Sequence, residues 1–221
     1  MRTSRARPPA VEPVGLLVAE LQALDAAHAL GDVKDKQYQG HKEELLRQIG
    51  RAKVRARLAP GEEVLAEHHF QQSHFPFTGF AFGDVAQESV SFFATDRRLC
   101  RWRFVDRPDR RQSSLSGEDR LEALDYENMR GVVLRREWRW GEAAVALATL
   151  VLALLLWPWL QFSAPILAFV GAAGLAHALF VPTPYWLIAN REGSQEWRVY
   201  AAGKPSAKAL IEVVQVGVAR P

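Results

Sequence analysis

The stretch from Ala143 to Asn190 reads AAVALATLVLALLLWPWLQFSAPILAFVGAAGLAHALFVPTPYWLIAN and contains no Asp, Glu, Lys or Arg. A helix that spans a bilayer needs about 20 apolar residues, and residues 143–160 and 162–181 supply two such lengths. The bend Trp157-Pro158-Trp159 separates them, and Pro182 ends the second, because proline cannot continue the helical hydrogen-bond ladder. A buried apolar hairpin is the alternative, but a chain of 221 residues has little protein to cover it. The stretch therefore predicts two transmembrane helices.

Tryptophan and arginine positions give this hairpin an orientation. Tryptophan prefers the membrane–water interface, and five of the seven tryptophans lie at the two ends of the hairpin: Trp138, Trp140, Trp157, Trp159 and Trp186. Arginines lie only at its open end: Arg135, Arg136, Arg139 and Arg191. Positive residues favour the cytoplasmic side. This predicts a protein of the inner (plasma) membrane with two spans and both termini in the cytoplasm.

Small residues recur at four-residue spacing in both helices: Ala144, Ala148, Ala168, Ala172 and Ala176. Such spacing lets two backbones approach closely, either within the hairpin or between two copies of the chain. His177 is the one ionisable side chain inside a span. Because it lies near the cytoplasmic end, a neutral, hydrogen-bonded histidine is the expectation.

The rest of the chain is charged and has only one cysteine. Lys and Arg number 28 against 25 Asp and Glu, and Cys100 stands alone, so no intrachain disulfide can form. Residues 1–14 are expected to be a disordered basic tail. They are not expected to open a secretory signal, because Glu12, Glu20 and Asp25 interrupt the apolar residues that follow.

Residues 15–50 predict a hairpin of two amphipathic helices. Leucines and a histidine share one helical face in the first: Leu17, Leu21, Leu24 and His28. Gly31 is the expected stop and Asp35 the expected cap of the second helix. The second helix has an apolar face of its own: Tyr38, His41, Leu45 and Ile49.

This stretch resembles the SHOCT-like family of short helix-turn-helix modules. The resemblance lies in the leucines, a glycine near the turn, the aromatic Tyr38 and the run Lys42-Glu43-Glu44-Leu45-Leu46. It implies a protein-interaction or self-association element. The predicted contacts with a protein partner, or with a second copy, are Leu17, Leu21, Leu24, Tyr38, Leu45 and Ile49.

Residues 51–59 are expected to form a basic linker. Alternating basic residues in it would point one way on an extended chain: Arg51, Lys53, Arg55 and Arg57. Contact with anionic headgroups and a solvated linker are both compatible with the pattern. Nucleic acid is a weaker third option and is not among the predicted partners.

From residue 60 the pattern favours β structure. Alternation and turn residues predict seven strands: 62–71, 88–94, 98–105, 121–126, 131–140, 185–190 and 196–201. Pro205 is expected to begin a C-terminal helix with an apolar face.

This order resembles the bacterial pleckstrin-homology-like (PH and GRAM-like) family. The likeness lies in Leu58-Ala59-Pro60-Gly61-Glu62, in Ala94-Thr95-Asp96-Arg97-Arg98-Leu99, and in the run from Leu124 to Val132. It implies an α+β fold: a PH-like seven-stranded sheet or partly open barrel with a C-terminal helix. The PH-like domain would comprise residues 60–140 and 183–217, with the transmembrane hairpin at 141–182 as an insertion.

One property of lipid-binding PH domains is missing. Between Leu58 and Asp96 there is no Lys or Arg, although a phosphate site needs cationic or amide donors. A loop in that region carries four phenylalanines instead: Phe75, Phe77, Phe80 and Phe82. They predict either an apolar surface that touches lipid or a partner, or a loop that plugs the end of the barrel.

No enzyme signature is present in the sequence, and neither a metal nor a cofactor is predicted. The hypothesis is therefore a membrane-anchored cytoplasmic scaffold or regulatory module that binds a protein partner or itself. The alternative is a peripheral lipid-interacting module that uses the basic linker and the phenylalanine-rich loop.

Overall fold

The structure, a computed structural model, describes residues 14–74, 86–106, 118–138, 140–160 and 163–219. The chain divides into two compact units. The first comprises residues 1–129 together with 208–221, and the second comprises residues 130–207. The first unit is thus completed by residues that follow the apolar stretch.

The first unit begins with the predicted helical hairpin. Helix α1 spans Val14–Ala29 and helix α2 spans Asp35–Arg55. Gly31 allows the turn between them, since its φ of +82° is accessible to glycine. Asp35 does not cap α2, because its Oδ1 lies 2.9 Å from Nε2 of His28 instead. Because α2 continues to Arg55, most of the region predicted as a linker is its last turns.

Four antiparallel strands follow in a meander. They are β1 (Val64–His74), β2 (Ala86–Thr95), β3 (Arg98–Asp106) and β4 (Glu118–Asp125), paired in sequence order. In this register Phe93 of β2 faces Cys100 of β3. Alternation along β3 then places Cys100, Trp102 and Phe104 on one face of the sheet.

Helix α2 packs on that face and α1 packs on α2, so that the two helices and the sheet enclose one buried cluster of the first unit. The helices contribute Leu21, Leu45 and Ile49, and the sheet contributes Phe93 and Trp102, all of which are buried. Full burial of such a side chain stabilises a fold by about 1.5–3 kcal/mol. This packing stabilises two helices that would be marginal alone in water.

The C-terminal helix α6 (Pro205–Ala219) returns the chain to the first unit from Lys208 onward. A Cβ at Gly217 would lie 2.4 Å from Cδ2 of Tyr126, so the helix backbone lies against this ring. Tyr126 sits in the 3₁₀ turn Tyr126–Asn128, and its hydroxyl donates to the Thr95 carbonyl at 2.7 Å.

The second unit consists of three strands and the apolar helices between them. Strand β5 (Met129–Glu137) leads into helices α3 (Trp140–Leu155), α4 (Trp157–Leu160) and α5 (Ser163–Phe180). Strands β6 (Thr183–Asn190) and β7 (Glu196–Val199) follow, and the sheet order is β5-β6-β7. The helices therefore connect two neighbouring strands of one sheet.

The α+β class is as predicted, but the single seven-stranded sheet is not. In the described residues the strands form two antiparallel sheets, of four and of three strands, and neither closes into a barrel. Strands β6 and β7 join β5 instead of extending the β1–β4 sheet. A tight hairpin turn between β4 and β5 would have allowed these two strands to pair. The chain has a 3₁₀ turn, Tyr126–Asn128, at this position instead.

Candidate functional site

Helices α3 and α5 pack closely through small residues. A Cβ at Gly171 would lie 2.8 Å from the backbone nitrogen of Leu150 and 3.1 Å from the carbonyl oxygen of Ala146. A Cβ at Gly174 would lie 3.3 Å from the Cβ of Ala146. The two backbones therefore come together at a distance that larger side chains would prevent.

The small residues in this contact are not the ones that the spacing predicted. The residues buried in the two helices recur mainly every seven positions: Ala143, Ala146, Ala153, Ala164, Gly171 and Ala178. Four of the five predicted alanines are exposed, namely Ala144, Ala148, Ala172 and Ala176, and the fifth, Ala168, is half-buried. For contacts within the hairpin the prediction was wrong, whereas contact between two copies stays a prediction.

The outer surface of the helix pair is apolar on every side. Large apolar side chains are exposed along it: Val145, Leu147, Val151, Leu152, Leu154, Leu155, Ile166, Phe169, Val170 and Phe180. Only 17% of Ser163–Phe180 is buried, which distinguishes α5 from the core helix of a soluble protein. Exposed apolar surface of this kind is typical of a membrane or partner interface.

The two helices differ in length. Of the helices in the described ranges, only α5, with 18 residues, is long and apolar enough to cross a membrane, where two spans were predicted. Helix α3 has 16 residues and ends at Leu155, before the residue where the first span was expected to end. The short helix α4 continues the apolar chain from Trp157 to Leu160.

Exposed tryptophans lie at both ends of the pair. Trp140, the first residue of α3, is 69% exposed, and Trp159 in α4 is 84% exposed. Trp138 and Trp157 are exposed as well. His177 is exposed near the end of α5.

A polar cluster joins β5 and β7 close to the start of α3. The Tyr200 hydroxyl donates to Glu137 at 2.9 Å, and Nη1 of Arg198 lies 3.2 Å from the same carboxylate. Arg198 also lies 5.4 Å from the ring centroid of Tyr185. Burial raises the pKa of Tyr200, and its bond to Glu137 acts in the same direction while Arg198 opposes it. Tyr200 therefore keeps its proton and acts as a donor.

The predicted partner contacts are brought together, but inside the first unit. Six residues lie in the core between α1, α2 and the sheet, each at most 8% exposed: Leu17, Leu21, Leu24, Tyr38, Leu45 and Ile49. In this state a partner cannot touch them.

Polar bonds within the helical hairpin add to this packing. The Tyr38 hydroxyl donates to Asp25 at 2.7 Å and accepts from Lys42 at 2.8 Å. The His28 ring stacks on Tyr38 with centroids 3.9 Å apart. Burial raises the pKa of Tyr38, with Asp25 adding to the effect and Lys42 opposing it. These bonds join α1 to α2 at their connected ends.

Two of the four basic residues predicted to contact lipid are paired with carboxylates inside the first unit. Arg51 Nε donates to Glu67 of β1 at 2.9 Å, and Lys53 forms an ion pair with Asp119 of β4. Arg55 and Arg57 are exposed. Sequence reasoning missed both carboxylates, because they lie 16 and 66 residues from their partners.

Two predicted segments fall beyond the part of the chain that the structure describes. The four phenylalanines Phe75, Phe77, Phe80 and Phe82 lie outside the described residues, and so do residues 1–13 of the basic tail. Within the described ranges no group of three or more His, Cys, Asp or Glu side chains is arranged to hold a metal ion.

Two of the sequence stretches that carry the PH-like resemblance meet at one carboxylate. Glu62 accepts two bonds from Arg98, each at 2.9 Å, and further bonds from the Thr95 hydroxyl and the Ala59 amide, each at 2.8 Å. Burial acts to raise the pKa of Glu62, but the bonds from Arg98, Ala59 and Thr95 together lower it. These residues thus have a structural role at the start of the sheet.

Comparison of the chain with known families, with curated proteins and with solved structures found no match.

Proposed function

We propose that the chain is a bacterial membrane-anchored cytoplasmic scaffold or regulatory module, which binds a protein partner or a second copy of itself. The observation that carries the anchor is the apolar surface of α3 and α5, which the second unit leaves uncovered. A helix that is apolar all round belongs in a protein core or in a membrane, and these helices are not in a core.

In this proposal α3 and α5 enter the bilayer together. Strands β5 and β6 are neighbours in one sheet, and they lie directly before α3 and directly after α5. The chain must therefore return to the side that it left, which a single crossing would not allow. Helix α3 is about 24 Å long at 1.5 Å per residue, against a hydrocarbon core of about 30 Å. The added turn of α4 supplies much of the difference.

The orientation follows from charge. Arg135 and Arg136 are exposed on β5, and Arg191 is exposed directly after β6, whereas the tip carries no charged residue. The proposal places the strands, and with them both termini, in the cytoplasm. It also retains a PH-like fold interrupted by the hairpin. The order of seven strands and a C-terminal helix is compatible with that fold.

The buried apolar face of the helical hairpin limits how a partner can bind. Leu21, Leu45 and Ile49 lie in one buried cluster with Phe93 and Trp102 of the sheet, so a partner that uses them must displace this packing. We therefore connect partner binding to the release of α1 and α2 from the sheet.

The lipid-binding alternative through the basic linker has less support than the scaffold. The charges of Arg51 and Lys53 are paired with Glu67 and Asp119, which leaves Arg55 and Arg57 for an anionic surface.

Membrane fractionation with an alkaline carbonate wash tests the anchor. The full chain should stay in the pellet, and a variant with Gly141–Pro182 replaced by a short Gly/Ser turn should be soluble and unfold cooperatively. That variant should fold because β5 and β6 are already adjacent, and loop length changes the closure cost only slowly. Release of the full chain by carbonate would contradict the anchor.

A further inference from the structure

Strand β5, which leads into the apolar helix pair, carries three exposed arginines. They are Arg130, Arg135 and Arg136. Within the described part of the chain, no ion pair or hydrogen bond engages these three side chains. An exposed guanidinium group without a protein partner is available to an external anion.

Two of the three lie at the level of the tryptophans. Arg136 is two residues before Trp138, which is about 7 Å along an extended chain. Trp138 and Trp140 are both exposed, as tryptophans of an interfacial belt would be. Charges within about 8–10 Å of one another interact at physiological ionic strength. Arg135 and Arg136 are therefore within reach of headgroups, whereas Arg130 is about 26 Å from Trp138 along the strand.

Nearby carboxylates do not cancel this charge. Glu137 already bonds to Arg198 and Tyr200. Glu142 lies in the first turn of α3, where a carboxylate interacts favourably with the helix N-terminus. Arg135 and Arg136 thus leave positive charge at the base of the helices.

We propose that Arg135 and Arg136 bind the anionic phospholipid headgroups of the bilayer that holds α3 and α5. This inference rests on the proposed membrane anchor. The planar guanidinium group matches phosphate oxygens with two parallel donors. Each basic residue near an anionic surface contributes a factor of about five in affinity.

Tryptophan quenching in vesicles tests the site with the full chain. The protein is reconstituted in phosphatidylcholine vesicles that contain acyl-brominated phosphatidylglycerol or, separately, acyl-brominated phosphatidylcholine. Stronger quenching by the brominated phosphatidylglycerol is expected, and the preference should decrease in about 1 M salt. The double variant Arg135→Gln, Arg136→Gln should lose most of the preference.

Two controls separate the site from a general effect of charge. Arg130→Gln makes the same kind of charge change on the same strand but away from the tryptophans, so it should keep the preference. The variant Arg135→Lys, Arg136→Lys should keep most of it, because the charge remains.

Some results would overturn only the headgroup site, and one would overturn the membrane anchor as well. Equal quenching by the two brominated lipids, or a preference that the double variant retains, would overturn the headgroup site and leave the anchor intact. An equal loss in Arg130→Gln would also overturn it. Quenching by neither lipid would mean that the chain is not in the bilayer, and would overturn the anchor and this inference together.

Discussion

Gly50 of helix α2 lies directly against the indole ring of Trp102 on strand β3. A Cβ on residue 50 would lie 2.6 Å from Cε3 of Trp102, a distance that atoms in contact do not adopt. Trp102 is 1% exposed, and its Nε1 donates to Asp119 at 2.5 Å, so the ring has little room to move. The absence of a side chain at Gly50 therefore sets how closely the helical hairpin docks on the sheet.

Gly50→Leu should release the helical hairpin from the sheet. Overpacking of a tight contact costs about 1–3 kcal/mol, which raises the open population by roughly 5- to 150-fold. Cys100 reports the release, because it is buried under the helices and burial raises its pKa to about 11. The measurement is the rate of Cys100 labelling by a thiol reagent in the detergent-solubilised chain.

Gly40→Ala is the matched control for this experiment. Gly40 lies in the same helix, and a Cβ added there would meet no neighbouring side chain or strand within 4 Å. Alanine favours a helix over glycine by about 1 kcal/mol, so labelling of Cys100 should stay slow. Fast labelling in both variants, or slow labelling in both, would contradict the docking through Gly50.

The bonds of Glu62 should make stability depend on pH. Its pKa in the folded chain is lowered from the ordinary value of 4.5, so the folded state favours the carboxylate over the carboxylic acid. This stabilisation is complete above the unfolded pKa and is lost as the pH falls through the folded pKa. Glu62→Gln should lower the free energy of unfolding at neutral pH by about 3 kcal/mol, near the low end for a broken buried pair.

Denaturant unfolding at several pH values measures this effect. The difference between the wild-type chain and Glu62→Gln should shrink as the pH falls below about 4.5. Glu63→Gln is the control, because Glu63 is the exposed neighbour and should change stability little. A difference that stays constant down to low pH would exclude the carboxylate as its source.

The contact between α3 and α5 gives a prediction inside the apolar hairpin. Gly171→Leu should force the helices apart, because the backbone of Leu150 and Ala146 leaves no space for a side chain. The expected result is a lower melting temperature of the second unit in detergent. Ala172→Leu changes the exposed neighbour and should be nearly neutral. If Ala172→Leu destabilises the chain and Gly171→Leu does not, the packing faces are assigned wrongly.

Local patterns predicted most element positions because they depend on near neighbours. Strand β3 was expected at 98–105 and is Arg98–Asp106, and α6 begins at Pro205 as predicted. In both cases turn residues and apolar periodicity lie within a few residues of the boundary. The predicted helical hairpin is present for the same reason.

Local sequence patterns did not predict the long-range contacts. The docking of α2 depends on Gly50 meeting Trp102, which lies 52 residues later, and no local period indicates such a contact. The alternation of Arg51, Lys53, Arg55 and Arg57 favoured an extended linker, whereas α2 continues to Arg55. The helix is stabilised by tertiary partners such as Glu67. The predicted single sheet was wrong for the same reason, since the pattern of β6 does not show whether it joins β4 or β5.

The two faces of the apolar helices illustrate the same limit. Almost every residue of α3 and α5 is apolar or small, so the sequence offers several stripes of alanine that could pack. The stripe at Gly171 and Ala146 is selected by the geometry of the two backbones. Nothing in the spacing of Ala172 and Ala176 marks that stripe as exposed.

Cysteine accessibility in intact cells tests the membrane anchor and its orientation most directly. Single cysteines are placed by Ser163→Cys, at the start of α5, and by Glu192→Cys, in the exposed turn between β6 and β7, both in a Cys100→Ala background. With a membrane-impermeant maleimide, the cysteine at position 163 should label in intact cells. The one at position 192 should label only after permeabilisation. Labelling at position 192 in intact cells, or protection of position 163 until permeabilisation, would contradict a cytoplasmic module anchored by two spans.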